Sequence, residues 1–241
     1  FESAIDWLRK KGAKVAALRG DREAKEGVVI AKTTADNKTG IAFSVSCETD
    51  FVSKNSDFVA FAQSIGDAAI ANNVKSVEEL NNSTINGAKI SDLVNDKLAS
   101  IGEKIGVTKF ERITADYVAS YIHGANRIGV LVGFNKPVTD AGKDIAMQIA
   151  AMNPVAIDKT DVDSKTIERE LEIAKDVIRA EGKPEEMVEK IAAGKLNKFY
   201  KDSTLLNQEF VKDSSKSVAQ FLNDVDKGLT VTAFKRVQLG A

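Results

Sequence analysis

The sequence predicts an α+β protein made of two duplicated antiparallel-sheet-plus-helix subdomains, with an antiparallel helical hairpin, a coiled coil, inserted in the second. Three observations lead there. Stretches of strand-period alternation are followed by stretches of helical period. The same order recurs, with Gly40-Ile41 matching Gly129-Val130 and Asp57-Phe58-Val59-Ala60 matching Asp144-Ile145-Ala146-Met147, so the second copy lies 87 to 89 residues downstream. A four-and-three spaced apolar stripe, Ile167, Leu171, Ala174 and Ile178, then interrupts the second copy as a coiled-coil seam.

In chain order, Ala4, Ile5, Trp7 and Leu8 fall at helical spacing and stop at Gly12, so a helix ends there, with Trp7 expected to pack it against the body. Val28-Val29-Ile30-Ala31, a polar Asp36–Gly40 turn and Ile41–Cys47 read as a β-hairpin with Ile41, Phe43, Val45 and Cys47 on one face. Phe58, Val59, Ala62, Ile65 and Ala69 form the apolar face of a helix that Ser56-Asp57 can cap. Ser76-Val77-Glu78-Glu79 carries a capping-box pattern, and Ile90, Leu93, Val94, Leu98, Ile101 and Ile105 predict another long helix. The second copy reads as a strand from Tyr117 to His123, a turn at Gly124, a strand from Ile128 to Val132, and a helix from about Ala141 to Asn153 closed by Pro154. Gly182-Lys183-Pro184 breaks the coiled-coil stripe before Met187, Val188, Ile191, Leu196 and Phe199 resume it. A short helix near Val218–Leu222 and a strand from Leu229 to Leu239 close the second sheet.

Composition removes several kinds of chemistry. With 34 Lys+Arg against 35 Asp+Glu the formal net charge is −1, so there is no excess of positive charge for general binding to nucleic acid or an anionic membrane. One cysteine, Cys47, makes no internal disulfide or cysteine-based zinc site, and one histidine, His123, makes no two-histidine metal centre. No metal and no cofactor are expected. No apolar stretch approaches the ~18 residues needed to cross a bilayer. Phe1–Asp6 lacks the basic and apolar regions of a signal peptide, so a soluble protein of a reducing compartment is expected. A chain that starts with Phe rather than Met is expected to be a fragment, a processed form or part of something longer. Gly102-Glu103-Lys104-Ile105-Gly106 lacks the Lys-Ser/Thr of a phosphate loop and reads as a helix end.

Cys47-Glu48-Thr49-Asp50-Phe51-Val52-Ser53-Lys54 places an apolar Phe51-Val52 pair in a polar strand-to-helix loop. An aromatic ring there either folds back onto its own core or wedges into another protein. The octet resembles the signature of the elongation factor Ts family, the guanine-nucleotide exchange factors of elongation factor Tu. The resemblance continues through Ala4–Gly12, Ile101-Gly102-Glu103, His123-Gly124-Ala125, Ile128–Val132, Asp144–Met147, Gly182-Lys183-Pro184 and Ser215-Lys216-Ser217-Val218. Ser44 and Ser46 depart from it, standing where the family often has Glu and Asn.

The resemblance implies elongation factor Tu as partner, with Thr49, Asp50, Phe51 and Val52 entering its nucleotide domain near the Mg²⁺ site. It implies that His123 assists Phe51, that Ile101 and Gly102 add contacts, and that Val218 contacts another part of the partner. It implies no bond-making, no direct nucleic acid and no membrane, in the bacterial cytoplasm or an organelle of bacterial descent. The expected division is 1–25 for the end of an N-terminal helical module and linker, 26–110 for the first core subdomain, 111–162 for the start of the second, 163–202 for the hairpin and 203–241 for the closing part. The hairpin either braces the sheet or is an arm for a partner or a second copy, which leaves a homodimer open. Two alternatives from other classes are a thiol enzyme using Cys47 and His123, and a ribosome or RNA accessory protein.

Overall fold

The computed structural model describes residues 22–240 and, upstream, Ser3, Trp7, Lys10 and Lys14. The helix expected over residues 4 to 11 and its stop at Gly12 therefore fall largely outside the described residues. Trp7, expected to pack inward, is 61% exposed.

Strands β1 (Glu26–Thr33) and β2 (Thr39–Cys47) form the expected hairpin, in register from Glu26↔Cys47 to Thr33↔Gly40. One face of β2, namely Ile41, Phe43, Val45 and Cys47, is buried with Val28 and Ile30 of β1. After the single-turn α1 (Asp50–Ser53), helix α2 (Ser56–Ala71) covers that face with Phe58, Ala62, Ile65 and Ala69. The cap of α2 is Asn55 rather than Ser56-Asp57: its Oδ1 accepts from the N–H groups of Asp57 and Phe58 at 2.8 and 3.3 Å.

Next come the short α3 (Val77–Asn82), a small hairpin of β3 (Thr84–Ile85) and β4 (Ala88–Lys89), and then the expected helix, α4 (Ile90–Ile101). The capping box at Ser76 is offset. Its hydroxyl accepts from Glu79 N–H at 3.1 Å, but the Glu79 carboxylate reaches back to Lys75 N–H at 2.8 Å. Ile105, expected on the helix, lies beyond the Gly102 terminator, buried at the approach to a strand absent from the expectation, β5 (Gly106–Thr114). β5 pairs with β2, giving a sheet of order β1-β2-β5. β5 runs on past residue 110, to Thr114. Ser44 and Ser46 turn toward β5: the Ser44 hydroxyl lies 2.8 Å from that of Thr108, and Ser46 donates to Gly106 O at 3.1 Å.

The second half begins with β6 (Tyr117–His123), β7 (Ile128–Phe134) and α5 (Asp140–Met152). Helices α6 (Ser164–Ala180) and α7 (Glu185–Ser203) follow and pack against each other through Ala174, Ile178, Val188 and Ala192. The chain enters and leaves this pair at one place, where Val155 N–H donates to Ser203 O at 2.8 Å and Leu205 N–H to Ala156 O at 2.9 Å. Then β8 (Glu209–Phe210), β9 (Asp213–Ser217), α8 (Val218–Val225) and β10 (Val231–Gln238) close the chain, and the second sheet runs β10-β7-β6. Val130, Val132 and Phe134 face Ile145 and Ile149 of α5.

The sheets stack back to back. Val29 and Ala42 on one side and Val118, Leu131 and Val237 on the other form a third buried cluster between them. Approach is closest where side chains vanish: a Cβ on Gly129 would lie 2.6 Å from Val29 Cγ1, and one on Gly40 2.7 Å from Val118 Cγ1. A Gly129→Ala substitution forces a buried, β-branched neighbour to move, so it should lower the unfolding free energy by about 1–3 kcal/mol in urea titration; an unchanged midpoint would contradict the stacking.

The thiol-enzyme expectation is overturned by the burial of Cys47. Its side chain is sealed in the first core, its Sγ contacts Thr49 O at 3.2 Å, and burial, with smaller contributions from the Glu103 and Glu26 charges, pushes the thiol up to about 12. At pH 8 only about one thiol in ten thousand is then ionised. The expected result is that Cys47 reacts with a disulfide reagent at the rate at which the first subdomain opens. Reaction as fast as a free thiol's in the folded protein would restore the thiolate as a candidate.

Candidate functional site

The loop leaving β2 is organised by side-chain carboxylates. Thr49 caps α1, although its Oγ1 is a long 3.5 Å from Val52 N–H. The stronger hold comes from Glu103, fifty-odd residues away. Glu48 N–H and Thr49 N–H each donate to Glu103 Oε2 at 3.1 Å, and Thr49 Oγ1 donates to Oε1 at 2.6 Å. Glu48 returns the bond, accepting from Lys104 N–H at 2.7 Å and from Arg22 Nη1 at 3.2 Å. The two loops thus clasp each other through charged acceptors, which make stronger hydrogen bonds than neutral ones.

On this base Asp50 opens α1 and pairs with Lys54 one turn on, at 2.6 Å. The Lys54 hydrogen bond and charge hold the Asp50 carboxyl below the usual range. Phe51 follows, 84% exposed. Val52 turns inward onto the first core. Of the two readings of an apolar loop tip, the structure places Phe51 outside and Val52 inside.

Ile101, the last residue of α4, is 36% exposed, and Gly102 ends the helix in the left-handed region with φ 80. A side chain at Gly102 would carry strain there. Phe51, Val52, Phe58 and Ile101 line one apolar groove of about 280 Å³. Phe51, Val52 and Ile101 thus share one groove, with Gly102 next to Ile101 in the chain and Thr49 at the root of the loop.

His123 comes to the same edge by a different route. The β6–β7 turn donates nothing to the loop, but it is tied to β1: Val29 N–H donates to Asn126 O at 2.8 Å, and Arg127 pairs with Glu26 at 2.5 Å. Gly124, Ala125 and Asn126 all have positive φ, at 63, 52 and 66, a strained conformation at the alanine. Since Glu26 faces Cys47 across the sheet, the turn lies beside the strand end that emits the Phe51 loop. An open cleft of about 790 Å³ runs between them, lined by Glu48, Asp50, Phe51 and Lys54 on one side and Ala125, Asn126 and Arg127 on the other. His123 is exposed, with Nδ1 3.1 Å from the Tyr121 hydroxyl.

Val218 does not join this site. It is the first residue of α8 and is fully buried in the second core with Leu222 and Phe210. Its side chain is spent on packing, and Asp213, Ser214, Ser215, Ala219 and Gln220 are exposed around it. Sequence reasoning missed Glu48, Lys54 and Arg127 as parts of the site. It also left Glu103 without a role, because the signal for these residues is their pairing across the fold.

Among the described residues no cluster of His, Cys, Asp and Glu could bind a metal ion, and no helix is long and apolar enough to cross a membrane. What the site offers is a rigid base, an exposed aromatic ring and a charged cleft, the features of a docking surface.

Comparison with known proteins agrees. The Elongation factor TS family model matches residues 48–241. Elongation factor Ts of Christiangramia forsetii is 48% identical over 100% of this chain and 88% of its own length, that of Cytophaga hutchinsonii 49% over 99% and 88%, and that of Porphyromonas gingivalis 44% over 100% and 88%. With the exposed aromatic loop, the clasp beneath it and this match along the chain, the protein belongs to the elongation factor Ts family.

Proposed function

We propose that this chain binds elongation factor Tu and promotes GDP release by disturbing its Mg²⁺ and phosphate site, with Phe51 as the wedge. The observation that carries this reading is an aromatic ring 84% exposed on a loop whose backbone is fixed by six named residues' worth of cross-loop bonding, Glu48, Thr49, Glu103, Lys104, Arg22 and Val52. A GTPase grips its nucleotide through backbone N–H groups and Mg²⁺. A ring driven between its helices shifts the shell that supports the ion, and the nucleotide leaves faster. Asp50 accompanies Phe51 into that domain, Thr49 and Val52 set the turn, Ile101 and Gly102 extend the contact, and His123 assists from the far side of the cleft.

Linkage makes the action reversible. A factor that weakens nucleotide binding is itself bound more weakly, by the same factor, when nucleotide returns. Exchange thus proceeds without any bond made or broken, and the bacterial cytoplasm, where translation runs, is its place. An RNA accessory role has no counterpart among the relatives named above.

We assign residues 26–114 and the sheet-forming parts of 115–241 to two duplicated subdomains. The equal strand orders support this, as do two matched arginines: Arg112 of β5 reaches Asn73 just beyond α2 at 2.8 Å, and Arg236 of β10 reaches Ala150 O near the end of α5 at 3.3 Å. The α6–α7 pair is an inserted coiled-coil arm for a partner or a second copy; its exposed Ile173 and Val177 support that assignment.

Stopped-flow release of a fluorescent GDP analogue from purified elongation factor Tu tests the proposal. The wild-type chain should accelerate release. Phe51→Ala should reduce that acceleration by more than about tenfold, a loss of ~1.4 kcal/mol in transition-state stabilisation. Its effect on the unfolding free energy should stay within about 0.5 kcal/mol, as at other exposed positions. Wild-type release from the variant would remove Phe51 from the mechanism.

A further inference from the structure

We infer that Glu103 is the positioning residue of exchange, holding the turn that carries Phe51 in its docking pose; this deepens the wedge reading above and rests on it. The reasoning starts from α1. A helix of four residues does not hold its own shape, because nucleation costs more than one turn of bonds returns. Its cap bond from Val52 N–H to Thr49 Oγ1 is long, at 3.5 Å. Phe51, 84% exposed, is not held by burial either, so its direction is inherited from the backbone beneath it.

Glu103 makes most of the bonds that hold that backbone. The Glu103 carboxylate accepts from Glu48 N–H, Thr49 N–H and Thr49 Oγ1, so both oxygens are engaged by residues at the root of α1. Glu103 itself is placed by the left-handed end of α4 at Gly102, and its neighbour Lys104 is bonded back through its N–H to the Glu48 carboxylate. The same residue therefore links the loop that carries Phe51 to the helix end that carries Ile101, two of the apolar residues lining the groove. Loss of the carboxylate releases three donors at once and lets the turn sample poses in which the ring points elsewhere. Only the fraction of molecules in the competent pose then acts, and maximal exchange falls by that fraction. Docking through the rest of the surface is little affected, because Glu103 is behind the loop rather than at its tip.

The test is the release assay, titrated to saturation with each variant. Glu103→Ala should lower the maximal rate by about tenfold or more while the half-saturating concentration stays within about threefold. Adding Phe51→Ala to Glu103→Ala should cost less than about a further twofold, since both remove one device. Glu103→Gln should recover most of the rate, because its Oε1 can still accept from the two N–H groups and its amide can donate to Thr49 Oγ1. Amide exchange at Glu48 and Thr49 should quicken in Glu103→Ala with little change in the urea midpoint. If Glu103→Ala does not fold, Thr49→Val removes one of the three bonds at constant volume and should give a smaller loss in maximal rate. Wild-type maximal release from Glu103→Ala, or from Thr49→Val in its stead, overturns the inference, as does a loss that multiplies with that of Phe51→Ala. If Phe51→Ala alone leaves release unchanged, the wedge reading fails instead, and unchanged protection at Glu48 and Thr49 then shows that Glu103 does not hold the turn.

Discussion

The close approach of the two sheets determines where everything else can be. β1 and β2 present Val29 and Ala42 to Val118 and Leu131 across an interface narrow enough that Gly40 and Gly129 have no room for a Cβ. Packed interiors do not deform continuously, so this contact fixes how one hairpin lies on the other. Its consequence appears at the edge. The strand end at Cys47 and the turn at Gly124–Arg127 are some eighty residues apart in sequence, yet Glu26 bridges them, paired with Cys47 in the sheet and with Arg127 by an ion pair. The cleft exists because the sheets stack at that distance.

A docking loop has to satisfy two opposed demands. Leaving an aromatic ring in water forgoes the ~1.5–3 kcal/mol that burying it would return, and an unsupported loop would relieve that cost by folding Phe51 inward. The alternation of roles between neighbours prevents this. Val52 occupies the inward position on the first core, the Thr49 side chain is engaged by Glu103, and Asp50 is drawn to Lys54. With those three positions taken, the ring has no inward route that keeps the turn intact. Rigidity here lowers the ordering cost of association, which otherwise subtracts from affinity.

Much of the fold was legible because it is local. The strand period of Ile41–Cys47 and the helical period of Phe58–Ala69 both reflect one face meeting one core, and the structure agrees with each. What escaped was what depends on a second face or a second segment. β5 alternates poorly, with exposed Thr108 and Lys109 at its start and Lys109 at φ 54, so its pairing with β2 leaves a weak trace. The run Val28–Ala31 was read as a strand, but its apolar residues on both faces, which the second sheet buries, do not say which face meets which core. At the site, Phe51 was visible as an apolar residue out of place. A short motif does not say which way its valine points, and Val218 points inward; Glu103 had no role until the fold brought it beneath Thr49.

A protein that works by being bound and released needs no reactive group, and the scarce residues fit that economy. Cys47 fills core volume with its thiol held protonated, and His123 is the one imidazole in the chain, exposed beside Tyr121. The chemistry of exchange belongs to the partner's nucleotide site; this chain supplies shape. Binding energy gained along the surface is useful only if part of it is converted into distortion of that site, and conversion requires that the ring, not its own loop, be the stiffer body. A wedge on a floppy stem would bind and bend. In the proposed reading, the carboxylate clasp under Thr49 makes the stem stiff, so that contacts holding the partner would also strain its grip on the nucleotide.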